Sequence, residues 1–417
     1  MNGPDAAEIV ARTAWSRLAE PGDLVAGALV AALGAVEALA WLQNGVASLE
    51  RGGPPDLDGL RDLPPEAVRR LGVAGARWAP RWRALRLGQD LAAIERLGGR
   101  VLVPGHPEWP GGLDDLGAAA PHCLWVRGEG DLAAVLAGSV AVIGARACTA
   151  YGEHVASEIG AGVVGARRAV VSGGAYGIDA VAHRAALAAG GPTVAVLAGG
   201  LDRPYPAGNV RLLAAITDRG GAVISEVPPG STPTRSRFLQ RNRLIAAVSA
   251  GAVVVEAAWR SGALNTAGHA AGLLRPVGAV PGPVTSMASA GCHRLLREGS
   301  AVCVTDAAEV LELVGRAGCD LVGDRPATPS DVDGLSDTQR RTLDALPSVR
   351  GAVVETLCRV AGLTVGEVRA ALGALEVAGL AEQDARGWRR RRHHVREHNG
   401  HLGTSQAGGM PMTSHTG

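Results

Sequence analysis

Six apolar runs, at 140–143, 169–171, 193–197, 222–224, 252–255 and 277–280, recur along the middle of the chain, each separated from the next by a segment long enough for one helix. Rich in Val, Ala and Ile, they lack a polar alternation, so both faces of each strand need cover. Strands of that kind, alternating with helices, specify a parallel sheet clad on both sides. The pattern therefore predicts an α/β fold with a doubly wound, Rossmann-like parallel sheet. Residues 100–103 and 122–126 read as two strands ahead of it, after a charged helix around 83–97. A helix–strand–helix at 293–314 closes the domain.

The flanks carry different patterns. Residues 1–70 predict short helices, a small SAM-like helical domain punctuated by Pro21 and Gly22 and by Gly52, Gly53, Pro54 and Pro55. The extended Rossmann-like domain then spans 71–320. Pro, Asp and Gly dominate 321–334, which reads as a linker. Helical patterns at 337–346, 349–361 and 364–379, followed by a polar hairpin, describe a winged helix over 335–392. The tail, 393–417, lacks apolar periodicity and is expected to be disordered. One segment, 24–42, is apolar enough to suggest a membrane span, but Glu37 lies inside it and Gly34 invites a turn. A carboxylate at a bilayer centre costs about 2.5 kcal/mol or more, so a buried helical hairpin is the expected form. No basic stretch precedes it as in a secretory signal, and the cytoplasm is the expected location.

Composition narrows the chemistry. The formal net charge is only +1, so any nucleic-acid site has to be a local patch and not a global field. All 41 basic residues are arginine, which excludes Schiff-base chemistry and the phosphate-loop lysine. The six cysteines, at 123, 148, 292, 303, 319 and 358, form no Cys-x-x-Cys pair. They read as buried thiols of a reducing compartment, with no metal and no cofactor expected.

Polar and glycine-rich loops follow five successive predicted strands, on the edge where a doubly wound sheet binds ligands. The first carries Arg146 and Thr149 beside a helix start. The second is a turn, Ser172, Gly173, Gly174, Ala175, Tyr176 and Gly177, whose exposed N–H groups suit a phosphate, the other reading being glycines that only allow tight strand-to-helix packing. Asp179 stands at the head of the next helix, where it favours the dipole, and His183 on that helix reads as a structural histidine. Asn209 and Arg211 follow the third strand. Glu226 and Glu256 each end a strand, where a carboxylate commonly caps a helix or orients an arginine. Between them lies an arginine block, 234–243, that sets Arg235, Arg237, Arg241 and Arg243 around Phe238, the one phenylalanine in the chain. Guanidinium forks suit phosphates and an aromatic face accepts an unpaired base, so the block suits a single strand. The other reading is a solvated helix start with Phe238 turned into the core. At the far end, Trp388 precedes a second arginine run, 389–392, which is either a further nucleic-acid contact or a solvated tail.

The motifs G-x-R…Y-G, S-G-G-A-x-G-I-D, G-x-D-x-x-Y-P-x-x-N, S-E-x-P-P-G, F-x-x-R-N-R and S-G-x-L-x-T-A…V-P-G, in that order over 140–282, resemble the DNA-processing protein A family, also called Smf or DprA. The resemblance implies a non-enzymatic protein that binds single-stranded DNA, protects incoming strands and helps load the RecA recombinase in natural transformation and recombination, as a homodimer. It implies DNA contacts by Arg146, Ser172, Gly173, Gly174, Gly177, Asn209, Arg211, Phe238, Arg241, Asn242 and Arg243. Arg211 stands where the family often has lysine, Ala145 where serine is usual and Leu239 where proline is usual. The rival is a Rossmann-like nucleotide N-glycosidic hydrolase of the lysine-decarboxylase-like or phosphoribohydrolase type. Such an enzyme wants a Pro-Gly-Gly-x-Gly-Thr turn with a nearby glutamate, and the chain has no such turn. A dinucleotide dehydrogenase is disfavoured because no G-x-G-x-x-G follows the first strand.

Overall fold

The computed structural model describes residues 4–51, 64–315 and 334–391. Residues 321–333 of the expected linker and the whole expected tail, 393–417, lie outside them. Contacts divide the chain into two compact units, Met1–Gly323 and Asp324–Gly417.

The first unit opens with α1 (Ala6–Leu18), α2 (Leu24–Leu33), α3 (Ala35–Glu50), α4 (Pro65–Arg83) and α5 (Leu87–Arg96). Asp5 and Asp23 accept backbone N–H groups at the starts of α1 and α2, satisfying donors that no helical carbonyl can reach. Gly34 has φ 82°, a conformation open to glycine, and α2 and α3 meet there at 112°. Val25, Leu29, Ala38 and Leu42 turn inward toward Trp15 and Trp78, whose rings meet edge to face at 5.2 Å. No single described helix is long and apolar enough to cross a membrane.

The sheet follows: β1 (Gly99–Leu102), β2 (Leu124–Arg127), α6 (Leu132–Leu136), β3 (Val140–Ile143), α7 (Ala150–Gly165), β4 (Val170–Ser172), α8 (Ile178–Ala188), β5 (Thr193–Leu197), α9 (Val210–Asp218) and β6 (Ala222–Ser225). It continues with α10 (Arg235–Val248), β7 (Gly251–Val254), α11 (Gly262–Gly272), β8 (Val277–Ala279), α12 (Ala290–Arg297), β9 (Val302–Cys303) and α13 (Ala307–Val314). Strand order is β1-β2-β6-β5-β4-β3-β7-β8-β9. Every pairing from β6 to β9 is parallel, and β2 runs antiparallel to both β1 and β6. β3 and β5 fall at the limits expected from the apolar runs, β6 and β8 differ by one residue at one end, and β4 and β7 are displaced by one residue at both ends.

Both faces are buried, as the unbroken apolar runs require. Ala141, Ile143, Val171, Val194 and Val254 pack under α10 and α11 through Leu244, Ile245, Ala263 and Ala267. Val140, Val142, Val170 and Val253 pack on the other face against Val155 and Ile159 of α7 and Val181 of α8. His183 belongs to that layer. Its Nδ1 lies 2.7 Å from Thr193 Oγ1, and because that hydroxyl already donates to Val170 O, the ring nitrogen is the donor. Burial pushes the His183 pKa down to about 3, and the nearby charges of Arg241 and Arg184 act in the same direction, so the ring is neutral and structural.

Topology creates the cleft. The chain steps outward from β3 through β4, β5 and β6, then α10 carries it back to lay β7 on the other side of β3. Loops leaving β3 and β7 consequently diverge, and a crevice opens beyond their carboxyl ends.

In the second unit α14 (Asp337–Ala345), α15 (Val354–Ala361) and α16 (Val365–Val377) precede the antiparallel hairpin of β10 (Ala381–Asp384) and β11 (Gly387–Arg390). Leu343, Leu357, Val368, Leu372 and Leu375 form its core, and the arrangement is a winged helix. The second helix starts later than the periodicity suggests, because the backbone of Ala352 pairs with Trp388 and is committed to a strand-like bridge. Arg389 pairs with Glu382 at 2.7 Å, so part of the terminal arginine run is neutralised within the wing. The expectation of uniformly buried thiols needs correction. Cys123 and Cys292 are buried, Cys148 and Cys358 are half-buried, and Cys303 is exposed on the edge strand β9; Cys319 lies outside the described residues.

Candidate nucleic-acid interface

At the switch point a cleft of about 660 Å³ opens, lined by Arg146 from the β3 loop, Asp179 from α8, Arg235, Phe238, Arg241 and Asn242 from α10, and Ser261 and Thr266 from the start of α11. Helical geometry decides which part of the arginine block faces it. At about 100° per residue, positions 235, 238, 241, 242 and 245 share one face of α10, and these are the α10 residues that line the cleft, joined by Leu239. Positions 237, 240 and 243 point to another side. There Arg237 pairs with Glu20 at 3.0 Å, and Arg243 is 2% exposed in a bidentate pair with Glu226, Nη1 to Oε1 at 2.8 Å and Nη2 to Oε2 at 2.7 Å. Burial alone would raise the Glu20 carboxyl, but the hydrogen bond and charge of Arg237, together with Arg81, hold it below the ordinary carboxylate value.

Arg243 is thus a correction to the expectation from sequence. Its Nε donates to Ala119 O, its Nη1 to Glu226 and Gln240 O and its Nη2 to Glu226, so four of its five N–H donors are used internally. With the side chain buried and its charge paired, Arg243 does not face the cleft.

The glycine turn also works differently from the expectation. The amides of Gly173 and Ala175 donate to Asp179 Oδ2 at 3.1 and 3.3 Å, so an internal carboxylate occupies the cradle expected to hold phosphate. Ser172 Oγ donates to Val142 O at 2.7 Å, and Asn209 Nδ2 donates to the carbonyls of Gly174 and Ala175 at 2.9 and 3.0 Å. The glycines serve close approach instead. A Cβ on Gly173 would run into the Arg241 guanidinium, and one on Gly177, at φ 75°, into the carbonyls of Ala145 and Arg146. Between them these residues build a rigid floor that holds Arg241 and presents Arg146.

Phe238 is half-buried and outside the core clusters. Its ring meets Tyr205 edge-on at 5.8 Å, with the guanidinium carbons of Arg146 and Arg241 at 5.1 and 5.9 Å from its centroid. Arg146 is exposed and has no hydrogen bond or ion pair among the described residues. Arg241 is its opposite: 5% exposed, held by Nη1 donating to Val196 O at 2.6 Å, with Nε buried and unpartnered. Burial lowers its pKa to about 10, against the opposing charge of Asp179 and with a further push from Arg146. It remains a cation at neutral pH, largely desolvated and short of an acceptor, which is the state in which an anion gains most from pairing with it. Burial raises the Asp179 carboxyl, opposed by Arg241 and by the two amides it accepts.

Of the other expected residues, Arg211 is exposed on the first turn of α9 and free of partners among the described residues, while Asn242 Nδ2 donates to Asn265 Oδ1 and to Gly262 O. Leu239, Ser261, Gly262 and Thr266, known from the sequence only as motif positions, also line the cleft. The paired carboxylates are both engaged. Glu226 holds Arg243, and Glu256, 1% exposed, accepts from the amide and hydroxyl of Thr149 at 3.0 and 2.7 Å beneath the start of α7. Among the described residues no group of His, Cys, Asp and Glu is arranged to hold a metal ion.

Residues 100–315 match the family described as DNA recombination-mediator protein A, and residues 325–385 match the DprA winged helix domain. The chain is 45% identical over 390 residues to the putative DNA processing protein DprA of Mycobacterium tuberculosis, which covers 90% of this chain and 93% of the relative. It is 37% identical over 283 residues to protein Smf of Escherichia coli, over 67% of this chain and 75% of that protein. The X-ray structure of DNA processing protein A from Streptococcus pneumoniae aligns with a TM-score of 0.52 at 31% identity, covering 64% of this chain and 96% of that one. With both family matches and identity across nearly the whole sequence in agreement, the chain belongs to the DprA/Smf family of DNA-processing proteins.

Proposed function

We propose that the cleft at the β3–β7 switch point binds single-stranded DNA without sequence preference, Phe238 stacking on an unpaired base while Arg146 and Arg241 take the flanking phosphates. The observation that carries this reading is the Arg146–Phe238–Arg241 group: an accessible ring between two cations, one of them buried with an unpartnered Nε. A ring can stack only on a base that is free of its partner, and guanidinium groups bind the phosphates of any sequence. Arg235 and Arg211, exposed and unpaired among the described residues, extend the positive lining. Ser172, Gly173, Gly174, Gly177, Asn209 and Asn242 support the site by shaping its floor and wall, and Arg243 anchors α10.

Under this reading the protein is not an enzyme. It holds incoming strands, presents them to the RecA recombinase and works in the cytoplasm as a homodimer. A hydrolase would need a carboxylate free to polarise water, and Glu226 and Glu256 are both engaged in internal contacts. Titration of labelled single-stranded and duplex oligonucleotides of equal length, across a salt series, tests the reading. The expected result is duplex binding weaker by at least about tenfold, with affinity for the single strand falling steeply as salt rises. Equal affinity for the two would overturn it.

Arg146→Ala sharpens the test. Because Arg146 is exposed and its side chain makes no hydrogen bond or ion pair among the described residues, resting only on the Phe238 ring, its removal is expected to leave the melting curve unchanged. Affinity should weaken uniformly across sequences, and the slope of log affinity against log salt should fall by about one. An unchanged slope would remove Arg146 from the phosphate path.

A further inference from the structure

On the far lip of the cleft, between the lining residues Ala258 and Ser261, stands Trp259. It is 47% exposed, against 0% to 6% for Trp15, Trp78, Trp109 and Trp125. An indole left in water on a short loop is costly, and this one is also held in place. The Arg294 guanidinium of α12 lies 5.2 Å from the ring centroid, with Nη1 3.5 Å from Trp259 O, and Arg294 is itself tied to Glu298 at 3.8 Å. The loop is pinned from beneath as well: Ala257 N donates to Ala288 O at 2.8 Å and Gly291 N to Ala257 O at 2.7 Å. Next in the chain, Arg260 is exposed and has no partner among the described residues. An aromatic face steadied by one guanidinium, beside a second guanidinium left free, repeats on this lip the chemistry of Phe238 with Arg146 and Arg241 on the other side.

We infer that Trp259 is a second stacking platform, on which a base of the same single strand rests as it leaves the Phe238 cleft across the loops after β7 and β8, with Arg260 taking the adjoining phosphate. The inference rests on the single-strand reading of the cleft. Continuity favours a nucleic-acid occupant over a protein one, since the residues on either side of Trp259 are cleft wall and the free charge beside it is positive. The ring is rigid before binding, so little order is lost when a base stacks on it. The site therefore adds length-dependent affinity and not sequence preference.

Oligo-dT of about 4 and about 16 nucleotides, the span of single-strand site sizes, titrated against the full chain and its Trp259→Ala, Trp259→Phe and Arg260→Ala variants, tests this. The expected pattern is a loss of about tenfold for the longer strand in Trp259→Ala, near-normal binding in Trp259→Phe, and an unchanged short strand in both. Arg260→Ala should lower the salt slope for the longer strand by about one. Tryptophan emission should be quenched by the longer strand in the parent chain and less so in Trp259→Phe. Should neither oligonucleotide bind the parent chain, the reading of the cleft fails and takes this inference with it. Should both bind while Trp259→Ala and Arg260→Ala leave the longer strand unaffected, the cleft stands and this inference is overturned, leaving the lip to a protein partner. An equal loss for both lengths in Trp259→Ala, with a lowered melting point, would overturn it in favour of a wall residue that merely props the cleft.

Discussion

Replacing Arg243 by alanine is expected to destabilise the first unit by about 3–5 kcal/mol, because it leaves the Glu226 carboxylate buried without its partner. Both side chains are almost wholly inaccessible, 3% and 8% exposed, and Arg243 also satisfies the carbonyls of Ala119 and Gln240. Truncation removes the compensation and keeps the desolvated charge, which is the costly direction. Removing both partners in Arg243→Ala/Glu226→Ala should recover part of the loss, and the double-mutant cycle would report the coupling. Urea unfolding of the four proteins measures this. For whatever fraction of Arg243→Ala remains folded, the salt slope of single-strand binding should be unchanged, since Arg243 is buried away from the cleft with its charge paired to Glu226. A stable Arg243→Ala protein whose slope falls by about one would show that the ion pair opens to bind DNA, and the division of α10 into two faces would have to be abandoned.

Phe238→Ala is expected to cost about 1–3 kcal/mol of single-strand affinity while leaving the salt dependence intact, as removal of a stacking surface takes away no ion pair. The effect on folding should be clearly smaller than the roughly 3–5 kcal/mol typical of truncating a core phenylalanine. Phe238 is half-buried, it belongs to none of the apolar clusters, and its ring neighbours are Tyr205, Arg146 and Arg241. Phe238→Tyr and Phe238→Trp keep an aromatic face and should bind nearly normally. Melting and binding curves on the same samples separate the outcomes. A large drop in stability with unaltered affinity per folded molecule would make Phe238 a packing residue, the alternative left open by its position just before Leu244, Ile245 and Ala246.

The two predictions differ in kind although the residues are close in sequence, and that difference was partly legible in the chain. Once Thr234 is taken as the cap of α10, with its hydroxyl accepting from Arg237 N, the helical period puts Arg241 three positions from Phe238 on the same face and carries Arg243 well round the helix. A wheel drawn from that start would have separated the cations. What the wheel cannot supply is the identity of the second face. Glu226 arrives from the end of β6 and Glu20 from the turn before α2, and neither has any sequence relation to the block. The glycine turn is the same lesson from another side. Glycines after a strand permit close approach of something, and whether that is a phosphate or a protein group is not written in them. Here Asp179 reaches back to take the amides, while Arg241 and the Ala145–Arg146 backbone fill the space that side chains would have occupied.

By itself the sequence determined the class of fold and most strand positions, because burial on both faces enforces unbroken apolar runs. It also determined the winged helix, through its helical periodicities and polar hairpin, the absence of lysine chemistry, and the family, through motifs in a single order. The tertiary structure decided the order of strands, hence the crevice beside β3. It decided what the two arginines turned away from that crevice, Arg237 and Arg243, pair with, and that Glu226 and Glu256 bind internal partners. It also left Trp259 on the lip, held by Arg294 from a helix more than thirty residues further along the chain. Those outcomes depend on pairings between distant segments, where a charge is satisfied by whichever partner the folded backbone brings within reach. Local pattern constrains which side chains need a partner, and only the packed chain determines which partner each one finds.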